Sequence, residues 1–343
     1  MAIKKVTGDP GIDAIIGSLE KQFSKENMIT LGPSRKPIGA VPTGALGLDI
    51  HIGIGGVPRG RITEIFGPES SGKTSIALSI AYQYEQHKAS WGHDDRWVLI
   101  VDVEHSITIE QIAGIGLDPD RLIFVSPDTG EEALQTILNL VKSERIGLAV
   151  FDSIDAVQTE SQLKKKMGEN EMGGASKILN RFMREFSKVC KNTDTTVIFL
   201  NQLKYNPGAM FGSPEVTPGG TGLKFYASLR LKTMPGKPSD KQSGAFRMRV
   251  KIIKNKVSPP RSDPAEFDFI YIKGPDPCFD LVTVSKNLGI GKLSTVFSVL
   301  WPGDSDFTTI SKGGLAGAIE FLRANPDVQD RLRTVCLNQA ANG

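Results

Sequence analysis

The chain is poor in cysteine. Cys190, Cys278 and Cys336 lie far apart, with no CxxC pair in 343 residues. This excludes a disulfide framework and a thiolate zinc site, and it fits a reducing compartment. Long apolar runs are missing as well. No stretch approaches the ~18 residues of a membrane helix, and the opening MAIKKVTGDPGID has no apolar leader block. A cytoplasmic location is expected. Strong net charge is also lacking: at +3 the total names no partner, so only the distribution of charge can. Carboxylates stop at Asp330. What remains is an ordinary globular composition, 39% hydrophobic and 23% charged, in a length that suits two or three domains.

Asp9 and Pro10 open a helical pattern in which Ile12, Ile15, Ile16, Leu19 and Phe23 share one face. That stripe packs either on its own core or on a neighbouring subunit. From Arg61 the runs RITEIF, WVLIVD, LIFV, IGLAVF and TTVIFL read as strands. Residues 71–88 and GEEALQTILNLVK, behind Asp128 and Thr129, read as helices. The alternation predicts an α/β fold with a mostly parallel central sheet covered on both faces. LKFYASLRLKT, FRMRVKIIKNK and EFDFIYI follow without helices between them and read as antiparallel strands extending the sheet. GPDP, from Gly274, marks a boundary before a small α+β lobe.

GPESSGKT, Gly67 to Thr74, has the spacing of a phosphate loop between a strand and a helix. Gly67, Pro68, Glu69, Ser70, Ser71, Gly72 and Ser75 belong to the cradle, where backbone N–H groups and the helix N-terminus attract phosphate. Lys73 reaches the β/γ-phosphates and Thr74 ligates Mg²⁺. Asp152 ends the run LAVFD and is either the partner carboxylate for Mg²⁺ or a simple cap. ATP and Mg²⁺ are the expected ligands. Glu104, in VDVEH, is the candidate to orient and deprotonate water. Gln202 heads a loop with three prolines and five glycines between Tyr205 and Gly222. It is either a γ-phosphate reporter or a turn cap. Loops this long are commonly functional or disordered.

Lys177, Arg181, Arg184, Lys188 and Lys191 recur at helical spacing and form one positive stripe, opposite Ile178, Leu179, Phe182, Met183, Phe186 and Val189. Lys164, Lys165 and Lys166 lie just upstream. Such a stripe is an electrostatic footprint for a polyanion. The loop after Gln202 carries Lys204, Met210, Phe211 and Lys224, and suits sequence-tolerant contact with DNA when ATP is bound.

EKQF, GPESSGKT, EH, DS, NQ, MFG, GGTGLKFYAS and VKIIKNK occur in an order and spacing that resembles the RecA recombinase family over essentially the whole chain. The resemblance implies a P-loop ATPase core at 37–273, an N-terminal packing segment at 1–36 and a C-terminal domain at 274–343. It implies helical filaments on single-stranded DNA, pairing with homologous duplex and strand exchange with DNA-dependent ATP hydrolysis. It assigns Glu104 to water activation, Asp152 to Mg²⁺ and Gln202 to γ-phosphate sensing. Lys254 and Lys256 would reach the ATP of the adjacent subunit, with Phe225 in that interface. DNA would be held by loops at about 160–176, with Met172, Gly173 and Gly174, and at 203–220, from Leu203 to Gly219 and Gly220. Single-strand-binding protein, loaders and a self-cleaving repressor are the partners it suggests. This chain departs from the familiar pattern at Thr108 and Gln111, where an acidic and an aromatic residue are usual. It departs again at Lys164–Lys166 and in lacking an acidic tail, so readier nucleation on duplex DNA is expected. A ring-shaped helicase motor and a nucleotide-switched interaction module are the competing classes.

Overall fold

The computed structural model describes residues 9–22, 38–157, 174–205, 215–218, 220–240, 245–259 and 261–342. They fall in two compact units, Met1–Ile38 and Gly39–Gly343. In the first, α1 (Pro10–Gln22) begins at a capping Asp9, whose Oδ1 accepts from Gly11 N at 2.8 Å and Ile12 N at 3.2 Å. Ile12 and Ile15 are exposed on it. Phe23 lies outside the described residues.

The second unit opens with the short pairing of β1 (Ala40–Val41) with β2 (Val57–Pro58), around α2 (Leu46–Ile52). Strands and helices then alternate: β3 (Ile62–Gly67), α3 (Lys73–His87), β4 (Trp97–Asp102), α4 (Ile109–Gly114), β5 (Leu122–Val125), α5 (Gly130–Lys142), β6 (Ile146–Asp152), α6 (Gly174–Thr193) and β7 (Thr196–Gln202). Next come β8 (Lys204–Tyr205), β9 (Glu215–Val216), the short α7 (Gly222–Tyr226), β10 (Leu229–Asp240), β11 (Ala245–Asn255), β12 (Ala265–Ile270) and β13 (Gly274–Pro275). The chain finishes with α8 (Pro277–Asn287), β14 (Gly291–Leu293), β15 (Val296–Val299), β16 (Thr308–Lys312), α9 (Gly314–Ala324) and α10 (Pro326–Asn342).

Nine strands form one sheet in the order β13-β12-β11-β10-β3-β7-β6-β4-β5. From β10 to β5 all neighbours are parallel. Side chains alternate across this sheet because the strand period is two. Val98, Ile100, Leu148, Val150, Ile198 and Leu200 pack on one face with Ile76, Ile80 and Tyr84 of α3. Leu99, Val101, Ala149, Phe151, Val197 and Phe199 pack on the other with α5 and α6. At Gly147 the sheet meets α3 closely: a Cβ there would lie 1.6 Å from the Tyr84 hydroxyl. A third cluster joins α8, α9 and α10 with the three-stranded β14-β15-β16 sheet and with Leu46 and Ile50 of α2.

Three expectations need correction. LKFY is not strand: α7 turns there, and the strand begins only at Leu229, where pairing with β3 becomes available. That strand, β10, is parallel to β3 and antiparallel only to β11. Helix α3 starts at Lys73 rather than Ser71, because Ser71 Oγ is bonded to Pro68 O at 2.7 Å and Gly72 takes a left-handed φ of 83°. The thiols of Cys190, Cys278 and Cys336 are free and buried, as their spacing implies.

Asp49, in the first turn of α2, is fully buried. Its Oδ1 accepts from Thr43 N at 2.8 Å and Thr43 Oγ1 at 2.7 Å. Its Oδ2 has no hydrogen-bond partner among the described residues, and Arg333 stands 3.9 Å away. Burial pushes its pKa up to about 7 from 3.8. The folded state therefore holds this proton more tightly than the unfolded chain does. Its stabilising contribution is complete below the ordinary carboxyl range and is lost as pH rises through about 7. Asp49→Asn retains an oxygen for Thr43 and removes the charge. Its urea midpoint is expected to exceed wild type at pH 8 and to differ less at pH 5; a lower midpoint at pH 8 would contradict the assignment.

Candidate functional site

The sheet brings the carboxyl ends of four parallel strands side by side. Gly67 on β3 is in register with Gln202 on β7, and Asp102 on β4 is in register with Asp152 on β6. The interiors of β4 and β6 are apolar on both faces, so their polar side chains collect at this edge, where ligands of parallel sheets bind.

Residues 67–72 wrap the N-terminus of α3. Gly67 has no room for a Cβ, which would sit 2.1 Å from Thr233 Oγ1. Ser71 Oγ also touches Thr233 Oγ1 at 2.7 Å, which pins the loop to β10. Glu69 and Ser70 are exposed, and Ser75 is half-buried. Lys73 folds back, its Nζ donating to Pro68 O at 2.8 Å and Gly67 O at 3.3 Å. Burial holds its pKa below the usual lysine range, against the pull of Asp152, Glu104 and Glu69. Its ammonium thus caps loop carbonyls until an anion offers more.

Thr74 Oγ1 donates to Asp152 Oδ2 at 2.8 Å. Burial, helped by the nearby Glu104 and Asp102 carboxylates, pushes Asp152 up to about 7 against the Thr74 bond and Lys73. Glu104 Oε1 accepts from Gln202 Nε2 at 3.3 Å and from Ser153 Oγ. Gln202 and Glu104 therefore meet directly. His105 instead bonds Ser126 Oγ at 3.0 Å, and that hydroxyl donates to Asp102 O at 3.0 Å. Thr108 and Gln111 cap α4 reciprocally: Gln111 N donates to Thr108 Oγ1 at 3.3 Å and Thr108 N to Gln111 Oε1 at 3.0 Å. Gln111 also lines a small cleft with Thr74, Ser75 and Tyr271 beside the loop.

On α6, Arg181, Arg184, Lys188 and Lys191 are exposed, and Leu179, Met183 and Phe186 are buried against the sheet. Ile178, expected on the buried face, is exposed. Lys164, Lys165, Lys166, Met172, Gly173, Met210, Phe211 and Gly219 lie outside the described residues, as does the Lys177 side chain; Gly174 opens α6. Leu203 is half-buried and its N–H donates to Gly67 O at 3.0 Å. The loop it begins is not wholly irregular: β8 and β9 pair Lys204 with Val216 and Tyr205 with Glu215. Gly220 turns with φ 70°. Lys204 is not a free cation here, since its Nζ lies 2.6 Å from Asp155 Oδ1. Lys254 and Lys256 converge on α7: Lys256 Nζ and Lys254 Nζ each reach Phe225 O at 3.0 Å, and Lys254 also bonds Lys224 O. Burial and the neighbouring Lys256 charge bring Lys254 down to about 8. Phe225 is 70% exposed.

Sequence reading missed Asp155 and Ser153 as site residues. The dipeptide DS held a signal for Ser153, whereas Asp155 offered none.

The family model for the RecA N-terminal domain matches residues 11–276. Proteins named Protein RecA are similar along nearly the full length. That of Saccharopolyspora erythraea is 37% identical over 331 residues, covering 95% of this chain and 92% of that protein. Those of Nocardia farcinica and Thermus aquaticus are 37% and 35% identical, covering 97% and 96% of this chain and 92% and 94% of theirs. The chain belongs to the RecA family. Its function is recombination and repair of DNA. No helix among the described residues is long and apolar enough to cross a membrane.

Gly72 is the loop glycine that combines a left-handed φ with a close neighbour. A Cβ there would meet Met248 Cε at 2.2 Å, on top of the positive φ. Gly72→Ala is expected to destabilise by about 1–2 kcal/mol from the left-handed backbone alone. Nucleotide binding is expected to weaken in parallel, measured by calorimetric titration and thermal melting; unchanged affinity and melting would refute this reading.

Proposed function

We propose that the chain binds and hydrolyses ATP with Mg²⁺, assembles on single-stranded DNA as a helical filament, and pairs that strand with homologous duplex. The observation that carries this is the meeting of Lys73, Thr74, Asp152, Glu104 and Gln202 at one sheet edge, from which both stems of the 203–220 loop also leave.

The donor set suits a magnesium ion carried by a nucleotide. Among the described residues no group of three or more His, Cys, Asp or Glu can hold a metal alone. A hydroxyl and one carboxylate remain, to be completed by phosphate oxygens and water. When bound, the ion would neutralise phosphate charge. Thr74 and Asp152 would hold it, and Lys73 would leave its loop carbonyls for the phosphates. Glu104, oriented by Ser153 and Gln202, aligns water and accepts its proton. Gln202 exchanges its Glu104 contact for the γ-phosphate and so reports the nucleotide. Lys254 and Lys256 supply positive charge across the subunit contact, beside the exposed Phe225. The 1–36 segment serves subunit packing, and 274–343 forms the C-terminal α+β domain, packed on α2.

Arg184, Lys188 and Lys191 of α6 are exposed with no ion-pair partner among the described residues, and Arg181 has only the exposed Glu185, already paired with Lys142, beside it, which favours a nucleic-acid reading over the interaction module. The deciding assay is ATP hydrolysis with and without single-stranded DNA, for wild type, Glu104→Ala and Lys254→Ala. Strong stimulation by DNA, lost in both variants, is expected. Hydrolysis indifferent to DNA would overturn the proposal.

Lys204 generates a second prediction. Its amine must leave Asp155 before it can meet a DNA phosphate. A half-exposed pair of this kind is worth up to about 1 kcal/mol. Asp155→Asn should therefore tighten single-stranded DNA binding by up to about fivefold at low salt. Anisotropy titrations across salt concentrations test it; unchanged or weaker binding would show that Lys204 does not contact DNA.

A further inference from the structure

Asn201 and Gln202 are consecutive on β7, so their side chains leave on opposite faces. Gln202 meets Glu104. Asn201 is fully buried, and its Nδ2 spends both hydrogens, on Glu64 Oε1 at 3.0 Å and Pro218 O at 3.1 Å. Glu64 is itself fully buried on β3, and its other oxygen pairs with Arg230 Nε of β10. The Arg230 guanidinium covers the Phe66 ring at 4.6 Å. A carboxylate this deep is held rigidly by its partners, because breaking one contact strands a buried charge.

Pro218 lies on the return stem of the 203–220 loop. The outgoing stem is tied at Leu203 N to Gly67 O, the first residue of the phosphate loop. The return stem is tied by Asn201 at Pro218, and by Lys232 Nζ to Glu215 at 2.6 Å. Two polar atoms around the Asn201 tie, Asn201 Oδ1 and Thr217 Oγ1, are buried with no partner among the described residues. Each costs about 1–3 kcal/mol. A stem that leaves both unpaired has something to gain from a second arrangement.

We propose that Asn201 is a positioning residue: the buried Glu64–Arg230 pair holds its amide, so that a nucleotide-dependent shift at Gln202 reaches the return stem of the loop through Pro218. The proposal rests on the functional reading above, in which this loop grips DNA when ATP is bound. It goes beyond that reading by naming the route to the return stem, and it assigns Asn201 no contact with nucleotide or DNA.

The test uses full-length wild type and Asn201→Ala, each with ADP and with a slowly hydrolysed ATP analogue. Single-stranded DNA affinity is measured in both nucleotide states, together with amide exchange of residues 215–222. Wild type is expected to bind DNA more tightly with the analogue by on the order of tenfold, with slower exchange at Val216, Thr217 and Gly220. In Asn201→Ala the affinity ratio should fall toward one and the exchange difference should vanish, while nucleotide affinity stays within about twofold of wild type. A variant that keeps the wild-type ratio overturns the proposal, and so does one that loses nucleotide binding itself. If wild type shows no nucleotide dependence of DNA binding, the functional reading fails as well. If circular dichroism shows the variant unfolded, Asn201→Ser, which stays polar but is too short to join Glu64 and Pro218, takes its place: a lost affinity ratio supports the route and a wild-type ratio removes it.

Discussion

Burial of the parallel strands on both faces is the constraint from which the rest follows. With α3 on one side and α5 and α6 on the other, β4, β6 and β7 have no solvent face on which to carry polar side chains. Chemistry is therefore expelled to the strand ends. The in-register pairing of Asp102 with Asp152 and of Gly67 with Gln202 turns four separate strand ends into one line of functional groups. The precision of the site is the precision of the sheet.

Electrostatics at that line is governed by desolvation. Burial raises Asp152 toward neutrality and lowers Lys73, each against the charges beside it. A phosphate beside Lys73 and a cation beside Asp152 would oppose both shifts together. Farther out, cations are divided between two conditions. Lys204, Lys254 and Lys256 are engaged by the chain's own carboxylate or carbonyls, whereas Arg184, Lys188 and Lys191 of α6 have no ion-pair partner among the described residues. The first group would have to exchange partners to meet a ligand; the second would not.

The strands, the major helices and the phosphate loop were legible because each rests on local pattern: period-two burial, a 3.6-residue stripe, or glycines at fixed spacing. The motif residues Lys73, Thr74, Asp152 and Gln202 were legible for the same reason. LKFY was misread because an apolar run of that length is ambiguous between strand and helix until pairing decides it. Thr108 and Gln111 looked like departures from a base-binding pattern, but in the fold their first task is a reciprocal helix cap. Lys204 looked free because Asp155 lies 49 residues away in sequence and only the edge of the sheet brings it within reach.

By itself the sequence determined the fold class, the phosphate-loop motif, the family and the edge of the sheet at which the candidate site lies. Each follows from residue type at short spacing, which the local backbone converts directly into geometry. Tertiary structure alone decided which charges are spent and which are free, that Gln202 touches Glu104, and that Asn201 joins the buried Glu64–Arg230 pair to the return stem. Those contacts join residues more than a hundred positions apart, or from loops and strands with no pattern in common. Strand order and register, not sequence separation, set the distances between them.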